Sequence, residues 1–433
     1  MKKLLVVFIL ILTLQIRALA DQKIQKIYLK DAINIALENN IDLQAAKLEQ
    51  NIAKNNIKTA NRLQNPSLDA FYFMGGAGRS EPKQIGISEN IEIAKRKARK
   101  NLAESNLKLV EKNIDYNVFD LKMDVREAYI NLVATKSILD TLEQQQELQE
   151  ELLKIAKNRV KNHTTQNIDV IQAEIALNQM ITQVNTARVN VKKALADFNK
   201  VINTPDDIIY DSKDNLFLEE NNFAEMLTPP PNLKFPKASE IIPKILENRY
   251  DIQIAKQEID IAEKNLTVTA RQRIPDLQIT GGYAYQLGSV TSSGNFNSGA
   301  YAGASLVNIP LFYNYSPEIQ NAVIKLKQAE LKYESTKNRA VKDISAAYER
   351  FLTAADNLNH YERKIVKSSE ELINTSKDSY EAGKSDITAL IVMKQSYKSI
   401  IIGYTQSLAE YYSSWTNFLR EINDEDFSFL ENL

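Results

Sequence analysis

"LQITGGYAYQL", Leu277 to Leu287, changes character at every step. Leu277, Ile279, Tyr283, Tyr285 and Leu287 fall on one side of an extended chain, and Gln278, Thr280, Gly282, Ala284 and Gln286 on the other. Apolar and aromatic side chains opposed to small and polar ones, over about ten residues, is how a lipid-facing barrel strand reads. A soluble hairpin packed on a core shows the same alternation, so this window alone leaves both readings open.

Working outward, the strand is followed by the polar loop "GSVTSSGNFNSG" and a further extended stretch from Ala300 to Leu311. An earlier window repeats the pattern. In "LDAFYFM" Leu68, Ala70, Tyr72 and Met74 share a face, and in "QIGISENIEI" Ile85, Ile87, Ile91 and Ile93 do, with Glu89 as the exception. Four strands are expected, over about 67–75, 84–93, 276–288 and 300–311.

Ten of the twelve glycines lie in these two windows, and proline brackets them with Pro66, Pro82, Pro275, Pro310 and Pro317. No proline stands between Pro82 and Pro205 or after Pro317. Since both residues interrupt helices, their confinement leaves two long helix-permissive tracts.

The tracts carry a heptad. Ile114, Val118, Leu121, Val125, Ala128, Leu132, Thr135, Leu139 and Leu142 step by four and three, as do Val170, Ala173, Leu177, Met180, Val184, Ala187, Val191, Ala194, Phe198 and Val201. Such a narrow seam suits another helix better than a globular core. The polar break "KNHTTQN", Lys161 to Asn167, makes the two runs an antiparallel hairpin. An unbroken helix from Ala94 to Asn162 would extend on the order of 100 Å.

The chain is written twice. "ALENNIDLQAA", starting at Ala36, returns as "ILENRYDIQIA", starting at Ile245, and at the same offset of 209 Glu38, Asp42, Asn56, Arg62, Pro66 and Leu68 meet identical residues. Beyond the glycine windows the offset becomes 219 to 220, where Asp124, Ala128 and Tyr129 meet Asp343, Ala347 and Tyr348. Each half reads as helix, two strands, long helix, polar turn, long helix. The expected division is 21–228 and 238–433, joined by a stiff Pro-rich connector at 229–237 that includes "PPPNLKFP".

Composition removes several function classes. Fifty-four basic against 55 acidic side chains leave a net charge of -1, with no field for nucleic acid. Cysteine is absent, which excludes disulfides, thiolate metal sites, cysteine nucleophiles and a lipidated Cys. His163 and His360, the only imidazoles, stand at no metal-ligand spacing, and no catalytic constellation appears. No enzyme, cofactor or metal is expected. "MKKLLVVFILILTLQIRALA" has two lysines, an apolar run from Leu4 to Leu14 and an Ala-Leu-Ala ending, the layout of a secretory signal cleaved after Ala20.

An exported chain without a long apolar helix can enter a membrane only as strands. Single-chain bacterial barrels begin at about eight strands, so four must close with copies of themselves. The helical hairpins, carried round the same axis, then form a second tube. The alternative is a periplasmic coiled-coil scaffold, which shares the heptads and has no use for the alternating windows.

This layout resembles the TolC-like outer membrane efflux protein family over essentially the whole mature chain. The resemblance rests on the doubled helix motif, on "NPSL" and "IPDL" leading into the odd strands, and on "NIPLF" closing the fourth. The hairpin tips, about 161–168 and 381–388, lie within "RVKNHTTQNIDVIQAE" and "SYEAGKSDITALIVMK". It implies a mainly α fold of two tandem repeats, whose coiled-coil hairpins form an α-barrel beneath a trimeric 12-stranded outer membrane β-barrel. The implied role is a passive conduit from periplasm to exterior, contacting outer membrane lipid. Its implied partners are a periplasmic adaptor and an inner membrane transporter of RND, MFS or ABC type.

The family pattern at the tips is Arg-x-x-x-Gly. The first tip has Arg159 with His163 at the glycine position, and the second has Gly383, followed by Lys384, with Ser379 at the arginine position. These four, Arg159, His163, Gly383 and Lys384, are the implied adaptor-docking residues. Asp169 and Tyr380 are carried over as candidates for a periplasmic gate. Gated relatives place Arg and two Asp where this chain has Ser385, Ala389 and Val392, so Asp386 is the remaining candidate for charge there. "IEIAKRKAR", Ile91 to Arg99, leans towards members serving metal or drug pumps.

Overall fold

The structure, a computed structural model, describes residues 23–72, 83–162, 167–204, 208–214, 216, 238–285, 298–361, 365–381, 385 and 387–425. The expected signal segment and the Pro-rich connector lie outside the described residues.

In chain order the elements are β1 (Lys23–Ile27), α1 (Leu29–Asn39), α2 (Ile41–Ala60), β2 (Ser67–Tyr72), β3 (Lys83–Ile91), α3 (Lys95–Lys161), α4 (Asn167–Val201) and β4 (Ile208–Ser212). The second half supplies α5 (Ala238–Ile245), α6 (Tyr250–Ala270), β5 (Asp276–Tyr285), β6 (Gly299–Val307), α7 (Ser316–His360), α8 (Val366–Glu381) and α9 (Ile387–Ile422). The 67 residues of α3 contain neither glycine nor proline, which is why so long a helix persists. Asn40 begins α2 as a helix cap, its side-chain oxygen accepting the Leu43 N–H at 2.7 Å.

Two compact units each draw on both halves of the chain. The first holds the chain to Gln44, Tyr116–Arg249 and Arg339 onward. Its helices α3 and α4 run antiparallel, with Glu143 bridged to Arg188 at 2.8 Å and Lys157 to Glu174 at 3.0 Å. These exposed pairs mark the register and contribute little stability. The seam of α4 is buried at Val170, Ala173, Met180, Val184, Ala187, Ala194 and Phe198. On α3 the buried arc is wider than a heptad, taking in Met123, Tyr129, Ile130, Val133 and Ala134 besides Val125 and Leu132. The added width has a cause: this part of α3 shares one apolar cluster with Ile27, Leu29, Ile33, Phe198, Leu358 and Leu408 from five other segments.

Two strands were not anticipated from the sequence. β1 and β4 pair in parallel, Lys23 opposite Ile208 through Ile27 opposite Ser212. Asn199 secures this pair to α4: its amide donates to the Tyr210 carbonyl and its oxygen accepts the Tyr210 N–H, each at 2.8 Å. Lys136 reaches both carboxylate oxygens of Asp211 at 2.9 and 3.0 Å. An aromatic group closes the core, Phe351 of α7 lying 4.8 Å from Trp415 and 6.2 Å from Phe418 of α9 between ring centres.

The second unit, Ala45–Asp115 and Tyr250–Asn338, holds a four-stranded antiparallel sheet in the order β2-β3-β5-β6. The hairpin of each half therefore meets the other at the sheet's centre, where Lys83 pairs with Tyr285 and Ile91 with Leu277. β2 and β6 are its edges. In the helices of this unit Ala53, Ala98, Ala103, Ala255 and Ala322 are buried, small side chains that let the helices approach closely, together with Ile252.

Candidate transport surfaces

The register divides the sheet into two chemically different faces. Leu68 is opposite Ile87, Ala70 opposite Ile85, Ile85 opposite Tyr283, Ile91 opposite Leu277, and Leu277 opposite Leu306, so these side chains share one face. Leu68 is 73% exposed, Ile87 57% and Leu306 56%, a row of apolar side chains turned outward. Isolated exposed apolar residues are ordinary; a whole sheet face of them calls for an apolar surrounding. Glu89, opposite Ile279, is the one acidic residue among the described positions of that face.

The opposite face carries Ser67, Asp69, Gln84, Ser88, Asn90, Gln278, Thr280 and Ser305, hydrogen-bonding groups with little net charge. Two aromatic side chains, Phe71 and Tyr301, interrupt it. Tyr301 pairs with Gly282, which pairs with Gly86, so the three stand in one row across β6, β5 and β3. The tyrosine lies along this row. A Cβ added to Gly282 would come within 2.7 Å of the Tyr301 hydroxyl, and one added to Gly86 would collide with the same oxygen. Position 282 also tolerates no side chain because the Gly86 Cα lies 2.7 Å from where a Cβ would be.

At the sheet's helical end, Lys95 and Asp276 form an ion pair at 2.8 Å with both side chains nearly inaccessible. Asn308 donates a second hydrogen bond to the same carboxylate oxygen at 3.0 Å. Within the helices of this unit, Asp260 accepts hydrogen bonds from Lys264 at 2.7 Å, from Gln257 at 3.1 Å and from the buried Ser105 hydroxyl. Burial pushes the Asp260 carboxyl up, and these donors outweigh it and hold it below the usual carboxylate range.

In the first unit one end of the α3–α4 pair carries Arg159 and Asp169, two of the candidate residues. Arg159 is in the last turn of α3 and Asp169 in the first turn of α4, so they stand at adjoining ends of two antiparallel helices, each partly buried. Only the backbone of Tyr380, next to last in α8, is described. His163, Gly383, Lys384 and Asp386 lie outside the described residues. Ile168, Ile171 and Ile175 are each at least half exposed, an apolar stripe at helical spacing along the first turns of α4.

Helices α4 and α9 lie side by side and parallel, Thr388 donating to Gln172 at 3.0 Å and Lys398 to Gln183 at 2.8 Å. Burial pushes the Lys398 ammonium below its ordinary pKa. Lys394, one turn earlier on α9, is buried and donates to the Leu148 carbonyl at 3.2 Å, with buried Gln145 and Gln149 flanking that carbonyl on α3. This polar layer separates an apolar cluster of Leu152, Ala156, Val170 and Leu390 from one of Leu142, Met180 and Val184. Neither Lys394 nor the Tyr301 row stood out in the sequence. The signal for the row was present, as paired glycines inside a strand mark a close approach.

A family model described as "Outer membrane efflux protein" matches residues 32–204 and 241–399. Among solved structures, the chain is similar to CusC, at 15% identity and a TM-score of 0.73 with 91% of each chain covered. It is also similar to the Campylobacter jejuni CmeC outer membrane channel, at 16% identity and a TM-score of 0.70, covering 93% of this chain and 88% of that one. The open-state Neisseria gonorrhoeae MtrE outer membrane channel gives 17% identity and a TM-score of 0.70, covering 92% and 89%. A search of curated proteins finds no significant match.

Proposed function

Because the chain belongs to the outer membrane efflux protein family, we propose that copies of it close their sheets into one lipid-embedded ring that continues into a helical tube. The protein is the outer membrane channel component of a tripartite efflux system. The observation that carries this reading is the sheet itself: one face apolar and exposed, the other polar, with strand edges β2 and β6 left to pair. In lipid an unpaired edge is costly, and four strands are too few to close alone. A trimer of twelve strands is the assembly we infer, each β6 pairing with the β2 of the next copy. The division into two sequence repeats fits this, since each supplies one hairpin to the sheet and one helical hairpin to the tube.

The conduit has no energy source of its own, so a periplasmic adaptor and an inner membrane transporter of RND, MFS or ABC type supply direction. The hairpin tips at Arg159, His163, Gly383 and Lys384 are the proposed adaptor contacts, and the apolar stripe of Ile168, Ile171 and Ile175 supports docking of a helical partner there. Asp169, Tyr380 and Asp386 are the proposed gate at the same end, opened when the helices are splayed.

The test is extraction and reconstitution. Protein extracted from membranes only with detergent, of trimer mass by light scattering, and giving discrete conductance steps in planar bilayers bears the reading out. Release by lysis without detergent, with no conductance, points to a periplasmic scaffold instead.

A further inference from the structure

Tyr301 is the one large side chain among the described residues of β6 on the polar face, yet it does not stand clear of the wall. A strand side chain ordinarily projects about perpendicular to its sheet. Tyr301 instead lies across the strands β5 and β3, its hydroxyl reaching over Gly282 to Gly86. Two glycines in register make a trough one side chain wide, and the ring fills it. Elsewhere along β3 and β5 this face has Ser88, Asn90, Gln278 and Thr280, whose Cβ atoms would close such a trough.

We propose that the Gly86–Gly282 trough keeps Tyr301 folded against the channel wall and that Tyr301 thereby sets the bore of the barrel. This rests on the reading of the polar face as the lumen. Each copy adds one ring at the same height, so a displacement repeated around the axis narrows the path on every side. A phenol standing into a water-filled lumen lowers conductance both by occupying cross-section and by presenting an apolar edge to water. Gly86 is the sensitive position. A Cβ there meets the Tyr301 hydroxyl first and its Cζ at 3.3 Å, whereas the nearest backbone atom, the Gly281 carbonyl oxygen, is 3.1 Å away. The flexible ring is the partner that gives way.

The experiment is single-channel conductance of the full chain in planar bilayers, with trimer mass measured on each variant. Wild-type protein that assembles but never conducts removes the channel reading itself. With wild-type channels in hand, Gly86→Ala is expected to lower conductance by about two-fold or more. Gly86→Ala combined with Tyr301→Ala is expected to return it at least to the wild-type level. An assembled Gly86→Ala trimer conducting like wild type, or a double variant staying as low as the single one, overturns the proposal. Should Gly86→Ala not assemble, Tyr301→Trp leaves both glycines in place and offers a ring too large for the trough. A fall in its conductance supports the proposal, and wild-type conductance overturns it.

Discussion

The Tyr129 hydroxyl lies 2.5 Å from a carboxylate oxygen of Asp214 and 3.0 Å from the Ile27 carbonyl, wholly buried, so that one side chain of α3 ties the end of β1 to the segment two residues past β4. Burial and the neighbouring carboxylate push the phenol's pKa far up, and it stays a donor. Burial raises the Asp214 carboxyl above 3.8, while the hydrogen bond from Tyr129 and the charge of Lys213 work the other way.

Tyr129→Phe removes that donor and is expected to cost about 1–3 kcal/mol at neutral pH. The sign with pH follows from the raised folded-state pKa. Below 3.8 Asp214 is protonated folded and unfolded, and stability falls as pH rises from there through the raised value. Losing the Tyr129 bond raises that value further, so the deficit should be larger at pH 7 than at pH 4. Thermal melts at both pH values check this, and an equal or larger deficit at pH 4 contradicts it.

The Lys95–Asp276 pair is nearly inaccessible at 2.8 Å. Lys95→Met leaves a buried carboxylate that still accepts from Asn308, at an expected cost of about 3–5 kcal/mol. Lys95→Met with Asp276→Leu should recover most of that loss. A double variant as unstable as the single one in heat-denaturation of the trimer would show the two residues to be uncoupled.

Lys394 puts an ammonium between two apolar clusters of the hairpin core. Lys394→Met keeps the stem's volume and removes the desolvated charge, so stability should hold or rise. Lys394→Glu should lower it by roughly 2 kcal/mol or more, because an acceptor would face the Leu148 carbonyl. Denaturant unfolding distinguishes these outcomes, and a destabilised Lys394→Met variant would place the amine's hydrogen bond above its desolvation cost.

Asp169→Ala with Tyr380→Ala, at the proposed gate, is expected to raise the conductance of reconstituted channels. The change should come as longer or larger openings at unchanged trimer mass. Conductance traces indistinguishable from wild type would take both residues out of the gate.

Much of this fold is legible in the order of side chains, because the features concerned are periodic. The α4 seam is buried at seven of the ten positions where a three-four step puts it, Leu177, Val191 and Val201 being only partly covered, and Leu277, Ile279 and Tyr283 share a face because a strand permits nothing else. What escaped is non-local or aperiodic. "KIQKI" is mostly exposed and finds its partner beyond α4, so no local pattern announces β1. The wide buried arc of α3 reflects neighbours from five segments, which a single helix cannot display. Asp276 looks like a polar strand start until Lys95 is placed beside it. Of the candidate site, the structure describes Arg159 in the last turn of α3 and Asp169 in the first turn of α4.

The central seam of the sheet joins the two halves, β3 to β5, and this governs how the protein can be made. The strands β2 and β3 are synthesised before the whole of α3 and α4, and β5 follows only after them. During that interval the pair has two bare edges, open to any extended stranger. A chain stopped midway would therefore leave β3 without its partner strand β5, the kind of bare edge that pairs with other copies.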